Sequence, residues 1–312
     1  MNFLYDNFIA EFLFAALKWV FSWAGQHWLA IILVTLAIKL VLLPLDIKQR
    51  ASSAKMQMAS GEVENIKKRY ANNPDQAQKK IKEYYKKNNI SATAGCLPML
   101  LSMVLLFAFY GALRNIVAEQ TISLVLQGAT NGAASVELPK FLWVHNVFQA
   151  DAGHVAIMPT ADDFLSFLKV NSSSISPQML MMMKEQGILI FENGVMTVDT
   201  AAYKALTDGI VAANGFEGLN NGWYGLPLIA GGTLFLQQWL TSKNQPANAQ
   251  PGGKMMLYFF PVFSAYICMT SNACFALYWT FSNVCAMAVH LGYNAYLKNK
   301  KKKEPVTIDS IR

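Results

Sequence analysis

Residues 27–45 read HWLAIILVTLAIKLVLLPL. Nineteen residues with one charge come close to the roughly 20 that an α-helix needs to cross the ~30 Å hydrocarbon core of a bilayer. Trp28 marks one boundary and Pro44 lies near the other. The single charge, Lys39, stands six residues inside the second boundary. This stretch predicts a transmembrane helix over 25–45, and the rest of the chain follows the same grammar.

Of the 312 residues, 54% are hydrophobic and 14% charged, against roughly 45–50% and about 25% in soluble domains. The apolar residues fall in long runs separated by charged segments, which excludes a soluble enzyme. Upstream, 1–24 is rich in aromatics but interrupted by Asp6, Glu11 and Lys18. Each charge would cost roughly 2.5–3.5 kcal/mol near a bilayer centre, so the reading is an amphipathic helix lying in the interface. Acidic residues precede any basic one there, unlike a secretory signal, and the Arg-rich character of a transit peptide is missing; no cleaved targeting segment is expected.

Downstream, 46–92 turns polar with helical periodicity and breaks at Asn72-Asn73-Pro74-Asp75, where proline ends one helix and Asp75 can cap the next. A helical hairpin outside the bilayer is predicted. Further spans fall at 93–116, 223–241, 255–270 and 274–297. The last two are joined by Ser271-Asn272-Ala273 alone, which makes them an antiparallel hairpin. Region 117–222 contains no apolar run of spanning length and reads as a water-exposed insertion of uncertain fold.

Basic residues set the orientation. Together the segments 46–92, 242–254 and 298–312 carry 19 Lys/Arg against 7 Asp/Glu, whereas 117–222 carries 4 Lys against 10 acidic residues. The hairpin, the 242–254 loop and the basic tail 298–312 are therefore expected in the cytoplasm, with 117–222 outside. The fold class is an all-α polytopic membrane protein with five transmembrane helices, N-terminus out and C-terminus in.

No catalytic constellation, metal site or cofactor motif is present: the four histidines are scattered, and the four cysteines lie in or beside apolar runs without metal-ligand spacing. Lys39 either snorkels toward the headgroups or faces a hydrated cavity. Thr35, one turn earlier, shares its face. Ser102, Gln237, Gln238, Thr280, Ser282 and Asn283 supply further polar atoms within the spans; individually each is interhelical glue, and together they can line a cavity. A lone cation with no acidic residue in any span would attract carboxylates, on a small anion or a peptide. The run Met179 to Met183 has no evident role.

Five pieces, in order, carry a family likeness: Ala37-Ile38-Lys39-Leu40-Val41-Leu42-Leu43-Pro44-Leu45, the charged hairpin, Gly95-Cys96-Leu97-Pro98, Phe141-Leu142-Trp143-Val144-His145, and Leu277-Tyr278-Trp279-Thr280-Phe281-Ser282-Asn283. As a set they resemble the YidC/Oxa family of membrane protein insertases over about two thirds of the chain. The resemblance implies a five-helix core around a hydrophilic groove, in which Lys39 takes the place of a basic residue that is usually arginine and Thr35 that of a polar residue one turn earlier. Tyr278 and Trp279 fall where the family often has paired aromatics. Two features depart from the family pattern: residues from about 151 to 222 lack a counterpart in its short members, and Ser271-Asn272-Ala273 replaces a turn with proline and glycine. The implied partners are nascent membrane proteins, membrane lipids, the Sec translocon, and the ribosome through the tail and hairpin. The implied location is a bacterial plasma membrane. A small-anion transporter or channel, or an assembly factor beside a translocon, fits the same polar spans; the hairpin and basic tail favour the insertase.

Overall fold

The computed structural model describes the backbone of residues 7–90, 97–170, 175–242 and 255–303, and side chains within 7–90, 103–169, 175–242 and 257–299. The protein is mostly helical. Among the described residues there are ten α-helices: α1 (Phe8–Ala24), α2 (His27–Arg69), α3 (Pro74–Lys87), α4 (Leu97–Asn131), α5 (Ala161–Val170), α6 (Pro177–Glu185), α7 (Thr200–Ala213), α8 (Gly225–Ser242), α9 (Phe260–Thr270) and α10 (Ala273–Lys303). A π-helical turn, Met255–Phe259, leads into α9. Among the described residues, α2 and the Ala273–Asn299 part of α10 are long and apolar enough to cross a membrane, and Leu257–Thr270 is a shorter apolar helix.

The chain forms two compact units. One comprises the residues up to Val34, Phe107–Ala230 and Ser264–Thr280; the other comprises Thr35–Leu106, Gly231–Phe263 and the residues from Phe281 onward. Each change of unit falls inside a helix, so α2, α4, α8, α9 and α10 all contribute residues to both.

In the first unit, α1 starts at Asn7, whose side chain accepts from the backbone N–H of Ile9 and Ala10, and stops at Gly25, which takes the left-handed φ of 69° that glycine tolerates. It buries Ala10, Leu13, Leu17 and Val20 at helical spacing. The opposite side is mixed: Glu11 and Ser22 are exposed there together with Phe8, Phe12, Trp19 and Trp23. Lys18, one of the interrupting charges, pairs with Glu119 of α4 at 2.7 Å; Asp6 lies outside the described residues.

Helix α4 overruns its expected end at Ile116 by fifteen residues. Ile116, Val117, Ile122 and Val125 are buried, so the inward stripe continues past the point where hydropathy falls, until Gly132 at φ 90° ends the path. The region beyond packs with the end of α4 in one core, built from Val125 of α4 and Phe164, Leu168, Met183, Tyr203 and Ile210 among others. Met183 thus gives part of the Met179–Met183 run a packing role, while Met181 stays exposed.

The insertion, whose fold the sequence left open, adds a β-hairpin to the helices. Strands β1 (Leu189–Glu192) and β2 (Val195–Val198) pair antiparallel, with Leu189 opposite Val198 and Glu192 opposite Val195. The connecting Asn193-Gly194 has φ of 51° and 77°, the double positive φ that lets a two-residue turn follow strand twist.

Asp151, fully buried, ties this region to the start of α8. One carboxylate oxygen accepts from the Trp223 N–H at 2.9 Å and the Tyr224 N–H at 3.1 Å. The other accepts from the Trp143 indole N–H at 2.9 Å and the Leu226 N–H at 2.6 Å. Glycine is needed nearby for close approach: a Cβ on Gly222 would collide with the Asp151 carboxylate, and one on Gly225 with the Trp143 indole. Tyr224 sits at φ 72°, which a tyrosine rarely adopts; its hydroxyl meets His154 Nδ1 at 2.9 Å.

In the second unit, α2 shows no break at Asp46, where the expected span gave way to the hairpin; it runs unbroken for 43 residues to Arg69 with Pro44 in its interior. A turn separates α2 from α3, and the capping residue is not the expected Asp75. Asn73 caps α3 by accepting the Gln76 N–H at 3.0 Å, and Asp75 lies in the first helical turn. The reason is Pro74: at the first helical position it needs no hydrogen-bond acceptor, so the capping residue must precede it. Asn73→Ala is expected to cost about 1 kcal/mol of α3 stability, read as faster amide exchange over 74–87. In the first unit, a short turn joins α9 and α10, with the Asn272 side chain accepting the Phe275 N–H at 3.0 Å.

Candidate functional site

The predicted polar residues are distributed over both units. Thr35, Lys39, Gln237, Gln238, Ser282 and Asn283 belong to the second, as does Ser102, whose side chain lies outside the described residues. Tyr278, Trp279 and Thr280 belong to the first.

In the second unit, the geometry begins with α2. Helical spacing puts Thr35, Lys39, Asp46 and Arg50 on one stripe; Thr35 is buried and the other three are half-buried. Arg50 was not singled out from sequence, yet it is firmly held. Its Nη2 donates to the Ala286 carbonyl at 2.8 Å, and its Nη1 lies 3.1 Å from His290 Nδ1. The other ring nitrogen of His290 is 2.9 Å from the Asn294 side chain. These contacts join α2 to α10 with a planar donor whose geometry lysine cannot reproduce. Asn283 is buried and donates to the Thr233 hydroxyl of α8 at 3.2 Å. Gln238 has a buried side-chain oxygen with no hydrogen-bond partner among the described residues, a position that water or a passing polar group would satisfy.

In the first unit, Tyr278 is buried and stacks on Phe109 with ring centroids 3.9 Å apart. Trp279 packs against Phe275 at 5.5 Å. The Trp279 indole nitrogen, the Thr280 hydroxyl and the Ser264 hydroxyl are buried and lack partners among the described residues. The aromatic pair is thus divided in character, with Tyr278 fixed in the core and Trp279 holding an unsatisfied donor.

Charge at the site is richer than the sequence reading supposed. None of the expected spans contains an acidic residue, but Asp46, one residue past the first of them, lies within electrostatic range of both Lys39 and Arg50. The half-exposed Cys285 thiol is also within range of Lys39. The signal was available: Asp46 and Arg50 follow Lys39 by seven and eleven residues, two and three turns of one helix.

Residues 19–302 match the family of 60Kd inner membrane proteins. The chain belongs to this family. Its likeness to individual members is spread along the sequence. Over 150 residues it is 33% identical to the membrane protein insertase YidC of Clostridium perfringens, covering 48% of this chain and 56% of that protein. Over 185 residues it is 31% identical to the protein of the same name from Fusobacterium nucleatum, covering 59% of this chain and 80% of that protein. The corresponding protein of Wolinella succinogenes is 23% identical over 296 residues, 95% of this chain and 39% of that protein. The chain therefore spans little more than half of the Clostridium protein and well under half of the Wolinella protein. The YidC/Oxa resemblance carried by the motifs agrees with these family members.

Proposed function

We propose that this protein is a membrane protein insertase. It catalyses no covalent reaction; it lowers the barrier for moving short polar segments of nascent membrane proteins across the bilayer and releases their hydrophobic segments into lipid. The observation that carries the reading is the family match over 19–302, joined to polar side chains on helices that are otherwise apolar. The relatives' shared name favours insertion over small-anion transport.

In this reading α2, α4, α8, α9 and α10 supply the five membrane crossings, and the basic segments 46–92, 242–254 and 298–312 face the cytoplasm, in keeping with the positive-inside bias. The N-terminus is outside and the C-terminus inside, in a bacterial plasma membrane. Lys39 is the electrostatic centre of a hydrated groove, accompanied by Thr35, Ser102, Gln237, Gln238, Ser282 and Asn283. Tyr278, Trp279 and Thr280, just before Ser282 in the sequence of α10, are further substrate-contacting residues in this reading, with aromatic surface and, on Trp279 and Thr280, buried donors without a partner among the described residues. Carrying a carboxylate through hydrocarbon costs several kcal/mol even after relaxation. Water in the groove shortens that path, and Lys39 offsets part of what remains. Helix α3 and the polar half of α2 form the cytoplasmic docking element for ribosome or Sec translocon, aided by the basic tail, which also meets anionic lipid.

The test is insertion of a single-span protein with an acidic N-terminal tail into sealed liposomes containing the purified protein. Protease protection of the tail that requires the protein is the expected result. Protection no greater than in empty liposomes would overturn the reading.

A further inference from the structure

Lys39, Asp46 and Arg50 differ by seven and four residues. At 3.6 residues per turn their directions agree to within about 40°, and they are spaced about 10 Å and 6 Å along the axis. Three charges of alternating sign thus lie on one half-buried stripe of α2. Arg50 is committed elsewhere, to the Ala286 carbonyl and to His290 on α10. Among the described residues neither Lys39 nor Asp46 makes a direct ion pair. Asp46 is nonetheless the acidic residue that shares the stripe with Lys39, two helical turns further along α2.

We propose that Asp46 is a specificity-determining residue of the insertion groove, the built-in counter-charge that sets how strongly Lys39 draws a substrate carboxylate. The proposal rests on the insertase reading and extends it. Lys39 and Arg50 without Asp46 would form a doubly positive stripe, in which an arriving carboxylate would be held tightly and released slowly. A transit site needs attraction strong enough for capture and weak enough for release. A fixed carboxylate two helical turns from Lys39, about 10 Å along the helix axis, achieves this: it weakens the field that a substrate anion feels without neutralising Lys39 through a contact pair.

Native Cys285 allows the field to be read without any insertion substrate. In the full-length protein in liposomes, with Cys96, Cys268 and Cys274 replaced by serine, Cys285 is modified by an anionic sulfonatoethyl or a cationic trimethylammonioethyl methanethiosulfonate. The ratio of the two rates cancels the thiolate fraction and reports local potential. Asp46→Asn is expected to raise the anion-to-cation ratio severalfold, because the removed unit charge acts with opposite sign on two reagents that differ by two charges. Asp46→Glu keeps the wild-type ratio, and Lys39→Ala lowers it. In the insertion assay, Asp46→Asn is expected to shift the ratio of acidic-tailed to neutral-tailed substrate inserted by threefold or more. A labelling ratio unchanged by Asp46→Asn overturns the proposal. A changed labelling ratio with no insertion by any variant overturns the insertase reading instead, so the two failures are distinct.

Discussion

Replacing Lys39 with alanine is expected to cut insertion of an acidic-tailed substrate about tenfold, while a substrate with a neutral tail crosses at nearly the wild-type rate. Tenfold corresponds to ~1.4 kcal/mol in the barrier, a modest fraction of a carboxylate's desolvation cost and what one cation can supply across a few ångströms of partly hydrated space. Lys39→Arg retains the charge and is expected to preserve insertion, with a stronger grip where a carboxylate can take both arms of the guanidinium. The measurement is the initial rate of tail protection in liposomes, with both substrates in parallel. Equal rates for wild type, Lys39→Ala and Lys39→Arg on the acidic tail would remove electrostatics from the mechanism.

Asp151→Ala carries the largest expected effect on stability. Four N–H groups converge on this carboxylate: three from the backbone of Trp223, Tyr224 and Leu226, and one from the Trp143 indole. Each buried donor left without an acceptor costs roughly 1–3 kcal/mol. Water entering the vacated space recovers part of this, which leaves a loss of about 4 kcal/mol. For a unit of this size that is a fall of about 10 °C in Tm. Asp151→Asn falls between, because its carbonyl oxygen still accepts while its amide group faces donors. The readout is thermal unfolding in detergent, paired with limited proteolysis of 117–222. Unchanged Tm and unchanged protease resistance in Asp151→Ala would show that the carboxylate does not hold the region together.

Much of this architecture was legible in the sequence because lipid imposes a coarse rule. The run from His27 to Leu45, the turn around Pro74 and the short Ser271–Ala273 link each have a direct physical meaning, and each corresponds to an element or a turn. Hydropathy marks where lipid would lie, however, and not where a helix ends. It therefore placed boundaries at Asp46 and Ile116, while α2 and α4 continue through both. The β-hairpin was missed although Asn193-Gly194 is a strong local turn signal, because the flanking strands are only four residues each. At the site, Lys39 and Thr35 were found by their polarity within an apolar run. Arg50 and Asp46 were passed over because they lie in a segment where charge is ordinary; only helical phase connects them to Lys39. Asp151 offered no signal, since its partners at 143 and 223–226 are brought to it by folding.

Pro44 gives the long α2 a mechanical character. Proline has no N–H, so the carbonyl of Leu40 lacks its usual donor within the helix, and bending concentrates there. Lys39 lies on one side of that soft point and Asp46 on the other. Arg69 is 25 residues beyond it, roughly 38 Å at 1.5 Å per residue, so a swing of about 5° moves that end by ~3 Å while Lys39 stays in place. The same swing alters the separation of Lys39 and Asp46 by only tenths of an ångström. A bend at Pro44 would therefore turn a large sweep at the far end of the helix into a fine adjustment of the spacing between two charges.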